Sequence, residues 1–408
     1  MGTPVRRLLL AFSLAAMMAA AARTAQVQAQ SVNRPSSPAP RAVDLGALNR
    51  SVDACTDFYQ FACGGWLAAN PIPADRPRWG RFDELSERNL EIMRGILDGA
   101  TAQRSAATQK IGDYYASCMD EAAIERLGAA PLSADLRNIA ALSSTDRLPE
   151  LVAELHKIGV NVFFTFSSEP DYRKASDIIA GADQGGMGLP DRDYYVKDDA
   201  RSQELRTQYV DHVARLLTLA GTPEARARTD AAAVMRFETA LARAALDRVA
   251  RRDPERVYHK QTPAEVQALT PRFNWARYFR GIAAPPITAV NVSEPEFFTA
   301  LNTLLGSTPI DDLRAYLRWQ LVHANAFLLS RAFVDEHFRF YSATLQGVQE
   351  QRPRWKRCVS YVDGDLGEAL GEAFVRQAFG PQAKADMLAM VADVMNALSP
   401  AGQAAAGG

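Results

Sequence analysis

The residues best suited to metal chemistry in this sequence are five histidines, His156, His212, His259, His323 and His337. A helical zinc hydrolase site needs two imidazoles four residues apart on one face, with a glutamate to polarise the bound water. No two of these histidines lie within ten residues of each other, so HExxH does not occur. The inverted form HxxEH comes nearest at Glu336-His337, but position 333 is Phe. Each histidine therefore reads as a capping or partly buried polar group, and the chain itself is expected to bind no metal.

Other catalytic patterns fare no better. There is no GxSxG elbow and no phosphate-cradling GxxxxGK[ST]. Gly185-Gly186-Met187-Gly188 is too short for a dinucleotide fingerprint. Asp191/Asp193 and Asp311/Asp312 could be acid–base pairs, but loop solvation and helix capping explain them. Asn291-Val292-Ser293 is a glycosylation sequon that matters only in a glycosylating host.

Helices must position whatever these groups do. Leu85, Leu90, Met93, Ile96 and Leu97 recur at helical spacing, and residues 106–126 and 147–158 read the same way. Further stripes are Leu205, Tyr209, Val210, Val213, Leu216 and Leu217, then Val234, Phe237, Leu241 and Leu246. Thr262-Pro263 looks like an N-cap and first helical position. Residues 311–345 form the longest helical run, with aromatics that belong to a core, and residues 366–379 and 383–398 give two last helices. The pattern changes only at residues 161–166 and 177–180, which predict one small β-hairpin. The predicted fold is mainly α-helical, a multi-helix domain with that hairpin.

At 408 residues, 48% apolar and 23% charged, the chain can bury a substantial core. A net charge of −1, with both signs interspersed, gives no nucleic-acid footprint and no membrane-adsorbing face. Arg6 and Arg7, the apolar run at residues 8–22 and Val27-Gln28-Ala29 together predict a signal peptide over residues 1–29. The run is too short for a stable membrane span. Residues 30–50, rich in Pro and Ser, read as a flexible linker, 51–398 as the folded domain and 399–408 as a low-complexity tail. The expected location is periplasmic or extracellular.

Four cysteines, Cys55, Cys63, Cys118 and Cys358, suit an exported chain. If residues 55–63 were helical, those two Cα atoms would lie about 12 Å apart, beyond disulfide reach.

One stretch is far more specific. Val52-Asp53-Ala54-Cys55-Thr56-Asp57-Phe58-Tyr59-Gln60-Phe61-Ala62-Cys63-Gly64-Gly65-Trp66 precedes Asn70-Pro71-Ile72-Pro73 and Arg78-Trp79-Gly80-Arg81-Phe82-Asp83-Glu84-Leu85. Then come Ile111-Gly112-Asp113-Tyr114-Tyr115 with Cys118-Met119-Asp120, Gly188-Leu189-Pro190-Asp191-Arg192-Asp193-Tyr194-Tyr195, Asp253-Pro254 with Tyr258-His259-Lys260, and Arg354-Trp355-Lys356-Arg357-Cys358. This ordered set resembles the N-terminal portion of the neprilysin and endothelin-converting-enzyme family of zinc metalloendopeptidases.

The resemblance implies a helical lid that encloses a chamber over a zinc domain and admits peptides of limited size. The family's HExxH and ExxxD cannot be mapped onto this chain, so zinc belongs to the complete enzyme and this chain is expected to be inactive alone. A natural truncation or a frameshift would leave such a chain. Its expected partner is the missing catalytic domain, in cis or on another chain, with peptides as ligands of the complete enzyme. A split peptidase and a non-catalytic peptide-binding module are the alternatives. The resemblance also implies a Cys118–Cys358 disulfide and leaves Cys55 and Cys63 unpaired, because their family partners lie in the catalytic portion. Arg78 matches an arginine that grips a peptide's free carboxylate, with Phe82 and Asp83 in the wall of that subsite. Ser86 stands where some members place a second arginine.

Overall fold

The computed structural model describes residues 44–100 and 106–399. The expected signal peptide, the first part of the linker and nearly all of the low-complexity tail lie outside the described residues. The chain divides into two compact units, one ending at Pro71 and the other starting at Ile72.

In the first unit a single 3₁₀ turn, Leu45–Ala47, is followed by α1, Phe58–Ala69. Asp57 caps α1 by accepting from the Gln60 amide. Gly65 is needed for packing here: a Cβ would sit 2.5 Å from the Gly46 carbonyl oxygen. The helix starts after Cys55, so a helical spacing does not describe the Cys55–Cys63 pair. Both are nevertheless free thiols, Cys55 exposed and Cys63 half-buried.

The second unit opens with α2, Arg81–Ala100, and α3, Ala106–Met119. Asp120 ends the predicted 106–126 helix early, because its carboxylate accepts from Ala123 and starts α4, Glu121–Leu127. Next come α5, Ser133–Ala140, and α6, Leu148–Lys157. The hairpin follows as β1, Phe164–Asp171, and β2, Lys174–Gln184, antiparallel with Phe164 opposite Gln184. A short turn, α7, Asp193–Val196, leads into α8, Ala200–Leu219, and α9, Glu224–Ala244.

Two very short strands enlarge the predicted hairpin into a four-stranded mixed sheet ordered β1-β2-β4-β3. They are β3, Lys260–Gln261, and β4, Val290–Val292, which runs parallel to β2. Strands of two or three residues carry no alternation for a sequence pattern to reveal. Between them lie α10, Pro263–Leu269, and α11, Trp275–Gly281. Thr262 caps α10 in a reciprocal capping box with Glu265.

The chain then builds α12, Pro295–Ser307, and α13, Ile310–Asn325. The expected 311–345 run breaks at extended Leu329, restarts as α14, Arg331–His337, and continues as a π-helical turn, Phe338–Thr344. The last helices are α15, Arg354–Ala378, kinked at Leu366, and α16, Pro381–Leu398.

Two apolar cores organise this unit. The larger gathers Val162, Phe163, Phe164, Tyr209, Phe237, Trp275, Tyr316 and Trp319, all nearly or fully buried. The smaller packs Leu90 and Leu97 of α2 and Ile111 and Tyr115 of α3 against Cys358, Val359 and Val362 of α15. Cys118 and Cys358 are disulfide-bonded there, with Cα atoms 5.7 Å apart.

Candidate functional site

The Arg78 segment is held at both ends. The Ala74 carbonyl accepts the amides of Gln349 and Glu350, each at 3.0 Å. Arg76 forms an ion pair with Glu87 on α2, and Lys356 on α15 reaches the same carboxylate at 2.6 Å. Arg78 follows two residues later and is exposed, with no hydrogen bond or ion pair among the described residues. Its guanidinium is therefore available to an incoming carboxylate. Phe82, 88% exposed, and half-buried Asp83 lie in the first turn of α2, where an acid favours the helix dipole.

The histidines behave differently from their spacing. Helices α8, α13 and α14 bring His212, His323 and His337 around Tyr341, with ring centroids 5.4, 5.0 and 4.8 Å from the phenol ring. Burial pushes His212 and His323 down to about 3 and His337 to about 4, so all three are neutral near pH 7. No sequence pattern could signal this cluster, because each of the three helices contributes a single ring.

Zinc does not fit them. A tetrahedral site needs nitrogens about 2 Å from one point, whereas the His323 and His337 rings stack with centroids 6.2 Å apart. His212 also commits Nδ1 to Glu336 at 2.8 Å, and Glu336 is further engaged by Arg215 and Arg339. Among the described residues no three His, Cys, Asp or Glu side chains converge to hold a metal ion. His156 is equally committed, with Nδ1 at the Tyr278 hydroxyl (2.7 Å) and Nε2 at the Val162 carbonyl (3.0 Å).

The glycine loop has a packing role. A Cβ on Gly186, whose φ is +73°, would lie 2.3 Å from the Tyr316 hydroxyl, and one on Gly188 would lie 2.1 Å from that of Tyr209. Beneath the loop the fully buried Glu238 accepts from Tyr195 (2.8 Å), Tyr209 (2.7 Å), Trp319 (3.1 Å) and Gln320 (2.8 Å). Tyr195 closes the Gly188–Tyr195 motif by also accepting the Leu189 amide at 2.8 Å. That motif is thus a buried brace. Asn291 of the sequon is also fully buried, donating to Glu169 and to the Val257 carbonyl, and is closed to glycan transfer in the folded chain.

The helical architecture, the segment order and the disulfide can be set beside known proteins. A sequence profile for the N-terminal region of peptidase family M13 matches residues 54–400. The chain belongs to peptidase family M13. Rat endothelin-converting enzyme 1 is 34% identical over 356 residues, which is 83% of this M13 chain and 46% of that enzyme. Neprilysin-3 of Drosophila melanogaster is 29% identical over 375 residues, covering 86% of this chain and 48% of its own. A crystal structure of Mycobacterium tuberculosis zinc metalloprotease Zmp1 with inhibitor superposes with a TM-score of 0.80 at 32% identity. That match covers 86% of this chain and 54% of Zmp1. The M13 chain thus spans about half the length of the relatives it matches.

Proposed function

We propose that this chain is the helical lid half of an exported M13 zinc metalloendopeptidase, which works only with a zinc-bearing half supplied in cis or as a second polypeptide. Zinc and the hydrolytic step belong to that other half, and the lid encloses the peptide. Arg78, Phe82 and Asp83 face the peptide's carboxylate end in the assembled enzyme.

The observation that carries this reading is α16. Met387, Leu388, Met390, Val391, Val394 and Met395 are 46–63% exposed, and the helix buries none of its residues. They recur at i, i+1, i+3, i+4, i+7 and i+8, a stripe suited to packing against another surface. Relatives about twice as long have a second half to cover it. Export is supported by the residues read as a signal peptide and by the disulfide.

The test joins the zinc-bearing half of the Mycobacterium tuberculosis relative after Leu398. The chimera is expected to cleave peptides in a chelator-sensitive manner, and Leu388→Asp with Val391→Asp to lower that activity at least tenfold. A monodisperse, zinc-loaded chimera that cleaves no peptide would count against the reading.

A further inference from the structure

Arg76, Arg352 and Arg357 line one cavity of about 440 Å³ in the second unit. Each has a buried Nε–H without an acceptor among the described residues. Arg76 is engaged at its other end by Glu87. Arg352 forms neither a hydrogen bond nor an ion pair among the described residues, and the Arg357 guanidinium lies beside the Tyr361 hydroxyl.

Charge around the cavity is not balanced. The cations Arg76, Arg352, Arg357 and Lys356 face three acids, Asp75, Glu87 and Glu350. Of these acids, Glu87 is already shared between Arg76 and Lys356. Burial, then neighbouring Arg76, lower the Arg352 pKa against the opposing pull of Glu87 and Asp75, although a guanidinium stays protonated. A buried guanidinium N–H left without an acceptor is costly, and a planar carboxylate is its best geometric complement. Phe327, Phe338 and Val348 give the wall an apolar part, beside the polar side chains of Ser342, Gln346 and Gln351.

We propose that this cavity binds a small organic acid, its carboxylate held by Arg352 and Arg357 and its apolar body against Phe327, Phe338 and Val348. The inference is independent of the lid reading, since it uses only groups of this chain.

Isothermal titration of the purified chain with N-acetylphenylalanine, its uncharged amide and inorganic phosphate tests it. The acid is expected to bind once per chain, with the amide and phosphate each at least tenfold weaker. Arg352→Gln should weaken the acid at least tenfold while leaving the circular dichroism spectrum unchanged, since Arg352 holds no partner whose loss would unfold the chain. Arg357→Gln provides a second variant with the same expected loss. Equal binding of acid and amide, no binding of the acid, or undiminished binding by both variants would overturn the proposal. Phosphate binding as tight as the acid would overturn the apolar part of the site.

Discussion

Cys118 at the end of α3 and Cys358 in the first turns of α15 are 240 residues apart in sequence and joined by a disulfide. The bond lies in the smaller core and closes most of the second unit into one loop. Arg354 reinforces the junction by donating from Nε to the Cys118 carbonyl at 2.8 Å.

Closing so long a loop restricts the unfolded chain, by about 5 kcal/mol in the simplest entropic treatment and about 2–5 kcal/mol in measured cases. Cys118→Ser with Cys358→Ser is therefore expected to lower the denaturation midpoint with little change in the native circular dichroism. Denaturant titration of the oxidised chain and the double variant measures it; equal midpoints would contradict it.

The buried brace gives a prediction of its own. Gly188→Ala places a methyl group against the Tyr209 hydroxyl, and overpacking of this kind costs about 1–3 kcal/mol. Glu238→Gln keeps the shape but turns one acceptor into a donor facing donors. Both should destabilise the chain, whereas Gly371→Ala on α15, where nothing lies near a new Cβ, should not. Thermal denaturation of the three variants decides it.

Stability should pass through a maximum near neutral pH. Burial lowers His156 and His337 to about 4 and His212 and His323 to about 3. Unfolded imidazoles take up protons below about pH 6.5, so this contribution is present above that pH and lost as it falls. The buried carboxyls act oppositely. Burial raises Glu238 to about 7, and burial with Asp183 alongside raises Glu294 to about 8. Their stabilisation is full below the unfolded carboxylate range and lost as pH rises through 7 and 8. Melting temperature measured from pH 4.5 to 9 should peak between about pH 6 and 7; a steady rise to pH 9 would contradict the assignment.

Arg78 gives a prediction for the assembled enzyme. On the carboxylate-binding role proposed for Arg78, Arg78→Ala should raise KM for substrates with a free C-terminal carboxylate about tenfold, as loss of one charged hydrogen-bonding group implies. Amidated substrates should be unaffected. Equal effects on both would remove Arg78 from carboxylate recognition.

Much of this architecture was legible in the sequence where burial imposes a period. The stripes around Tyr209, Val213 and Leu217 and around Val234 and Phe237 are buried faces of α8 and α9, and the Thr262 cap is where its chemistry placed it. Leu85 shows the limit of that reasoning: it fits the α2 stripe but stays 45% exposed, because the smaller core engages α2 only from Leu90 onward. Leu246 lies past the end of α9, where its backbone pairs with the Gln184 side chain. The histidine cluster around Tyr341 and the arginine-lined cavity were not legible, since each assembles residues from separate elements that no local spacing connects. The Arg78 segment was readable only through family resemblance, because an exposed arginine leaves no periodic trace.

The most direct test of the central claim is zinc content and peptide hydrolysis of the purified chain alone, with and without chelator. The expected result is no stoichiometric zinc and no chelator-sensitive cleavage. Zinc near one per chain, together with cleavage that chelator abolishes, would contradict it.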